Sequence, residues 1–313
     1  MSDTALSLGL PAPHAGAGMP ARVTVYEVGV RDGLQAEKQV VPTRAKIDLA
    51  LALRAAGLPV VEATSFVSPR WVPQLADAAD VLAGLGADLA PHPVLVPNLR
   101  GLERAIEAGA TSIAVFVSAT ESFARTNLNS SRAEALAAAV DVTVQARERG
   151  MNVRGYVSMC FGDPWEGVVA LQAVVEVSRE LIDAGCHEVS LGDTIGVGTA
   201  GHVQHLVEAH RAVGLRASDL ALHFHDTYGQ ALANVHSGLQ AGVTTFDASA
   251  GGIGGCPFAG SATGNLATED LLWLLAGLGI QTGVDLDAVV RAGVAMTDLL
   301  GRPRSRVAAA LLG

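Results

Sequence analysis

His223 and His225 stand two residues apart in "LALHFHDTYGQ", a stretch that reads as a β-strand. Alternate residues of a strand share a face, so both imidazoles can reach one ion. Asp32, after the first predicted strand, and Asn265, after the last, can add a carboxylate and an amide. Two imidazoles, a carboxylate and an amide suit a divalent cation of intermediate hardness, Mg2+ or Mn2+, with positions left open for a substrate. Plain packing is the alternative for an isolated His-x-His pair, and a strand end among other polar residues favours the ligand reading. In "EVGVRDGLQ", Arg31 precedes Asp32: the carboxylate suits the metal and the guanidinium suits a substrate carbonyl or carboxylate oxygen, the alternative being a local turn ion pair. Glu62 in "VVEATSF" and Asp193 in "SLGDTIG" are carboxylates inside β-rich runs. A charge there must be paired or functional, and orienting Arg31 or the ligands is the expected work.

The stretch Ser249–Gly260, "SAGGIGGCPFAG", holds five glycines around Cys256. It lacks the Gly-Lys-Ser/Thr ending of a phosphate-binding loop. The expectation is a mobile lid that carries a thiol to the reacting carbon as proton donor or acceptor, against the alternative of Cys256 as a small hydrophobe. Cys160 and Cys186 are expected in the barrel core or at its edge, and the remaining histidines show no ligand spacing.

These residues need a scaffold that brings distant segments to one rim. From residue 23 to 249, short β-rich runs alternate with Ala/Leu-rich amphipathic runs, the pattern of a parallel sheet with helical crossovers. The expected strands are Val23–Val30, Val60–Ser65, Pro93–Pro97, Ser112–Ser118, Val153–Met159, Glu188–Thr194, Leu220–His225 and Thr244–Ser249. Helices are expected at Thr43–Ala56, Leu99–Ala108, Arg132–Arg149 and Trp165–Ala184, each followed by a terminating glycine. Eight strands with intervening helices predict an α/β fold, a TIM (β/α)8 barrel, whose chemistry sits at the strands' C-terminal ends. Beyond residue 265 the pattern is helical, over Leu266–Gly279, Leu286–Leu300 and Arg304–Leu312. Residues 1–20, without Lys or Arg, read as a flexible tail, and residues 21–313 as one barrel domain with extra C-terminal helices.

Composition narrows the class. Half of the 313 residues are hydrophobic and 17% are charged, enough apolar material for a large core. A formal net charge of −10 without a dense basic run excludes nucleic acid as a main partner. No apolar run reaches the ~18 residues of a membrane span. Three scattered cysteines fit neither a disulfide framework nor a structural zinc site, and with no targeting signal the expected location is cytoplasmic.

From about residue 22 onward the chain resembles the hydroxymethylglutaryl-CoA lyase family, metal-dependent TIM-barrel enzymes, through "EVGVRDGLQAEK", "EATSFVSPRWVPQLADA", "SLGDTIGVG", "HFHDTYGQALAN" and "GGIGGCPFAGSATGNLATEDLLW". The resemblance implies cleavage of 3-hydroxy-3-methylglutaryl-CoA, an acyl-CoA thioester, into acetyl-CoA and acetoacetate, a step of leucine catabolism. Its metal ligands fall on Asp32, His223, His225 and Asn265, its arginine on Arg31, its loop cysteine on Cys256, and its supporting acids on Glu62, Asp193 and Glu269. Asp32 or His223 is the candidate base, and a homodimer is compatible with the family. Val30 replaces a usual proline, Ala36 a usual asparagine, and Met159 and Asp163 in "YVSMCFGDPWEG" stand where cysteines are common. These departures leave the ligand set intact and bear on acyl selectivity, so citramalyl-CoA or a longer branched 3-hydroxyglutaryl-CoA is an alternative substrate. Further alternatives are a Claisen-condensing acyltransferase and a catalytically silent barrel that binds metal or acyl-CoA.

Overall fold

The computed structural model describes residues 5–255 and 264–312. Its parallel strands are β1 (Thr24–Glu27), β2 (two short segments, Val60–Val61 and Thr64–Ser65), β3 (Val94–Leu95), β4 (Ser112–Ser118), β5 (Asn152–Ser158), β6 (Glu188–Asp193), β7 (Leu220–Phe224) and β8 (Thr245–Ala248). The two halves of β2 explain the closure of the sheet. Tyr26 and Glu27 of β1 pair with Val60 and Val61, while Thr64 and Ser65 pair with Val94 and Leu95 of β3. With β8 laid along β1 from Thr245 to Ala248, the two segments of β2 close the described strands into a ring.

The alternation of side chains sorts the strands into two faces. Val25, Val153, Val189, Leu191, Leu222 and Phe246 join the large apolar cluster shared with the surrounding helices. Facing inward instead are Tyr26, Arg154, Tyr156, Ser190 and Asp247, linked by hydrogen bonds and stacked rings. The barrel interior therefore holds a buried polar network in place of the branched aliphatic layers usual for this architecture.

Several helices match the periodic pattern within a residue or two, including Thr43–Ala55, Leu99–Glu107, Arg132–Glu148 and Leu286–Leu300. The helix after β5 differs, starting at Leu171 and not at Trp165. Asp163 is the cause: its carboxylate accepts the Trp165 and Glu166 N–H groups, and Asp163 and Gly167 exchange both backbone bonds, so the chain spends these residues on a turn. The first strand is also shorter than expected. After Glu27 the chain leaves the sheet in one wide helical turn, Gly29–Gly33, where the N–H groups of Arg31, Asp32 and Gly33 all point to the Val28 carbonyl.

Residues 11–15 lie against the C-terminal helices: His14 donates its backbone N–H to Gly277, and Pro11, Pro13 and Ala15 sit beside Gly277 and Gly279. Leu6 packs on Val290, Ala308 and Leu311. Among the described residues no helix is long and apolar enough to cross a membrane.

Candidate metal centre and active site

The wide turn after β1 carries Arg31 and Asp32 over the mouth of the barrel. Gly29 permits it: a side chain there would sit 2.6 Å from a Glu27 carboxylate oxygen. Asp32 meets the end of β7. One ligand atom each from Asp32, His223 and His225 lies within 4.8 Å of the others, and the two imidazole centroids are 5.2 Å apart. The segment after β8 folds back onto this end, with His225 and Asn265 bridged through their backbones and Leu266 N–H bonded to the Phe224 carbonyl. The Asn265 amide donates to Asp32 Oδ2 at 2.9 Å and to the Ile253 carbonyl at 3.1 Å.

Among the described residues, two buried atoms here have no hydrogen-bond partner, Asn265 Oδ1 and His225 Nδ1. An acceptor oxygen and an imidazole nitrogen left unpaired beside a carboxylate are costly unless a cation completes them. This donor set, one carboxylate, two imidazoles and one amide, fits a divalent ion of intermediate hardness. The electrostatics agree. Burial and the neighbouring His223 push His225 down to about 4, so it is neutral at physiological pH and available as a ligand. Burial works against the Asp32 carboxylate, yet the Arg31 cation and the two imidazoles hold it below the usual range. Burial also disfavours the charged form of His223, but the Asp247 carboxylate outweighs it and the pKa stands above the ordinary value.

Arg31 is 5% exposed and held on two sides. Its Nη1 donates to Asp32 Oδ1 at 2.8 Å and its Nη2 to Glu62 Oε2 at 2.9 Å. The Tyr156 hydroxyl donates to the same Glu62 oxygen at 2.8 Å, and the Tyr156 ring lies 5.4 Å from the guanidinium carbon. Among the described residues the buried Nε of Arg31 has no hydrogen-bond partner. Burial pushes Glu62 above the normal carboxylate range despite the Arg31 cation beside it.

The Asp193 carboxylate accepts the Val197 and Gly198 N–H groups, both at 2.9 Å, and so shapes the loop after β6 beside His223, while Asp32 and Glu62 hold Arg31. Burial raises the Asp193 pKa to about 6. Glu269 accepts the Gly251 N–H with both oxygens, and burial lifts it to about 8. Cys256 lies outside the described residues. Cys160 and Cys186 are buried in the apolar cluster, and burial raises both thiols, Cys186 to about 11. Sequence reasoning left out Tyr156 and Arg154, whose partners come from other strands; only the inward alternation of "NVRGYVS" hinted at them.

The HMGL-like family model matches residues 22–295. The chain is 52% identical over 296 residues to the mitochondrial hydroxymethylglutaryl-CoA lyase of Arabidopsis thaliana, an alignment covering 94% of this chain and 63% of that longer protein. It is 50% identical, over 94% of its own length and 98% of the other, to the 3-hydroxy-3-isohexenylglutaryl-CoA/hydroxy-methylglutaryl-CoA lyase of Pseudomonas aeruginosa. The crystal structure of hydroxymethylglutaryl-CoA lyase from Pseudomonas aeruginosa superposes with a TM-score of 0.91 at 49% identity, covering 94% of this chain and 99% of that one.

Proposed function

The chain belongs to the HMGL-like family, that of the hydroxymethylglutaryl-CoA lyases, and from that premise we propose that it cleaves 3-hydroxy-3-methylglutaryl-CoA to acetyl-CoA and acetoacetate at the mouth of the barrel. The observation that carries the proposal is the convergence of Asp32, His223 and His225 on one centre, with the Arg31 guanidinium bonded to the same aspartate. Asp32, His223, His225 and Asn265 would hold Mg2+ or Mn2+, and the ion supplies the Lewis acidity that makes the C3 hydroxyl easier to ionise.

With the C3 hydroxyl proton passed to a base, Asp32 or His223, breaking the C2–C3 bond leaves negative charge on the thioester oxygen. Arg31 is the group that meets it. Glu62 and Tyr156 hold the guanidinium from behind, so it needs no reorganisation as that charge grows, and one such donor is worth about 3–4 kcal/mol. Its unpaired Nε is the contact offered to the oxygen. The departing enolate carbon then takes a proton, for which Cys256, the loop cysteine that the family resemblance implies, is the candidate donor. Asp193 and Glu269 act through the loops they hold.

The test is release of acetyl-CoA from 3-hydroxy-3-methylglutaryl-CoA by purified protein with Mg2+ or Mn2+, with and without chelator. Turnover abolished by chelator and restored by metal is expected. Metal-loaded protein that releases no acetyl-CoA from any 3-hydroxyacyl-CoA would overturn the proposal. A longer branched 3-hydroxyglutaryl-CoA is the second reading, favoured by the name of the Pseudomonas aeruginosa relative and by the changed residues after β5, where Met159 is fully buried at a φ of 60°. A panel of both substrates ranks them by kcat/KM.

A further inference from the structure

His223 and His225 are not equivalent. The Nδ1 of His225 is buried without a partner, whereas the Nδ1 of His223 faces Asp247 Oδ2 at 3.3 Å. The two residues are direct neighbours in the β7–β8 register, His223 opposite Asp247. Asp247 is itself fixed from the far side. Arg154 donates Nη2 to its Oδ1 at 2.6 Å and Nη1 to its Oδ2 at 3.2 Å, and Ser190 donates its hydroxyl to Oδ2 at 2.8 Å. Arg154 is in turn held by Glu188 at 2.8 Å and lies over the Tyr26 and Tyr156 rings, 3.9 and 4.8 Å from their centroids.

From this chain of contacts we infer that Asp247 is a positioning residue for the metal centre: it holds the Nδ1–H tautomer of His223 and leaves the Nε2 lone pair for the cation. The inference rests on the cation reading of the mouth. An imidazole binds a metal only through an unprotonated nitrogen, and a carboxylate on the other nitrogen fixes both tautomer and ring orientation. Arg154 keeps that carboxylate from turning, because two parallel N–H donors grip both of its oxygens. Asparagine at 247 would offer an N–H to Nδ1, favouring the tautomer protonated on Nε2, which cannot coordinate.

Two measurements test this. On the folded, metal-free wild type, at a pH high enough that the His223 ring is neutral, 15N-resolved imidazole NMR should find it protonated on Nδ1 and bare on Nε2; the opposite tautomer overturns the inference whatever any variant does. In Mn2+ titrations followed by electron paramagnetic resonance, without substrate, Asp247→Asn should bind about 10–100-fold more weakly than wild type, with an unchanged circular dichroism spectrum. Ser190→Ala, which removes a single bond to Asp247, should weaken binding by a smaller factor and provides the reading if Asp247→Asn does not fold. Unaltered Mn2+ affinity in a folded Asp247→Asn, or in both variants, rejects the positioning role. A wild type that binds no Mn2+ rejects the cation reading instead, while the tautomer result stands on its own.

Discussion

Arg31 combines burial with an unpaired donor, the condition under which a cation contributes most to charge developing beside it. Arg31→Met is expected to lower kcat by about two to three orders of magnitude, equivalent to ~3–4 kcal/mol, while Mn2+ affinity changes far less and the fold persists. Stopped-flow or coupled assays for kcat, set beside a Mn2+ titration, check the split. Equal loss in both would make Arg31 a scaffold for Asp32 and not a partner of the substrate. The four candidate ligand positions could be named before any coordinates, two from strand periodicity and two from where the strands end, and three of them, Asp32, His223 and His225, come together in the structure. Asp247 was not readable as a partner of His223: the contact depends on cross-strand register, and nothing in the "TTFDAS" stretch states which residue of β7 it will oppose.

Elements place these side chains through two buried carboxylates. Glu27, at the end of β1, accepts the N–H groups of Gly29 and Ala250 and the Thr268 hydroxyl, so one side chain ties the Arg31–Asp32 turn to the start of the glycine stretch and to the helix Thr268–Gly277. Glu269 adds the bond to Gly251. Burial raises the two pKa values to about 7 and about 8. For an acid whose folded pKa lies above its unfolded value of 4.5, the native state holds the extra proton. Its stabilising contribution is complete below pH 4.5 and is lost as pH rises through about 8. Glu269→Gln keeps an acceptor for Gly251 and removes the titration. The stability of wild type relative to this variant should therefore fall by about 2–4 kcal/mol between pH 4.5 and 8.5, read by urea unfolding across that range. A flat difference would show that Glu269 ionises as freely in the fold as outside it. Helix periodicity found most helices, but it overran at Trp165, where the capping of a turn by Asp163 overrides the apolar spacing.

At the scale of the whole molecule the core is double. Apolar residues fill the shell between strands and helices, while the interior is spanned by the contacts from Glu188 through Arg154 to Asp247, with Tyr156 joining Arg154 to the Glu62–Arg31 pair. The hydropathy pattern announces the shell and conceals the interior, because a strand with alternating polar residues reads the same whether they face solvent or each other. The N-terminal segment belongs to neither layer. Removing residues 1–18 uncovers the Val290–Ala308–Leu311 patch beneath Leu6 and deletes the His14–Gly277 bond. It is expected to cost about 1–2 kcal/mol in chemical unfolding and to leave Mn2+ affinity in place. A loss of affinity in that truncation would mean that the segment reaches the mouth.

The two-part β2 and the seam between β1 and β8 carry a consequence for the order of events in synthesis. Asp32 and the Asn265 amide that bonds it are 233 positions apart along the chain, so a nascent polypeptide displays the aspartate long before its amide partner leaves the ribosome. If the mouth holds the proposed ion, the complete donor set exists only once the ring has been sealed, and a metal-sensitive signal during refolding would time the final stitch.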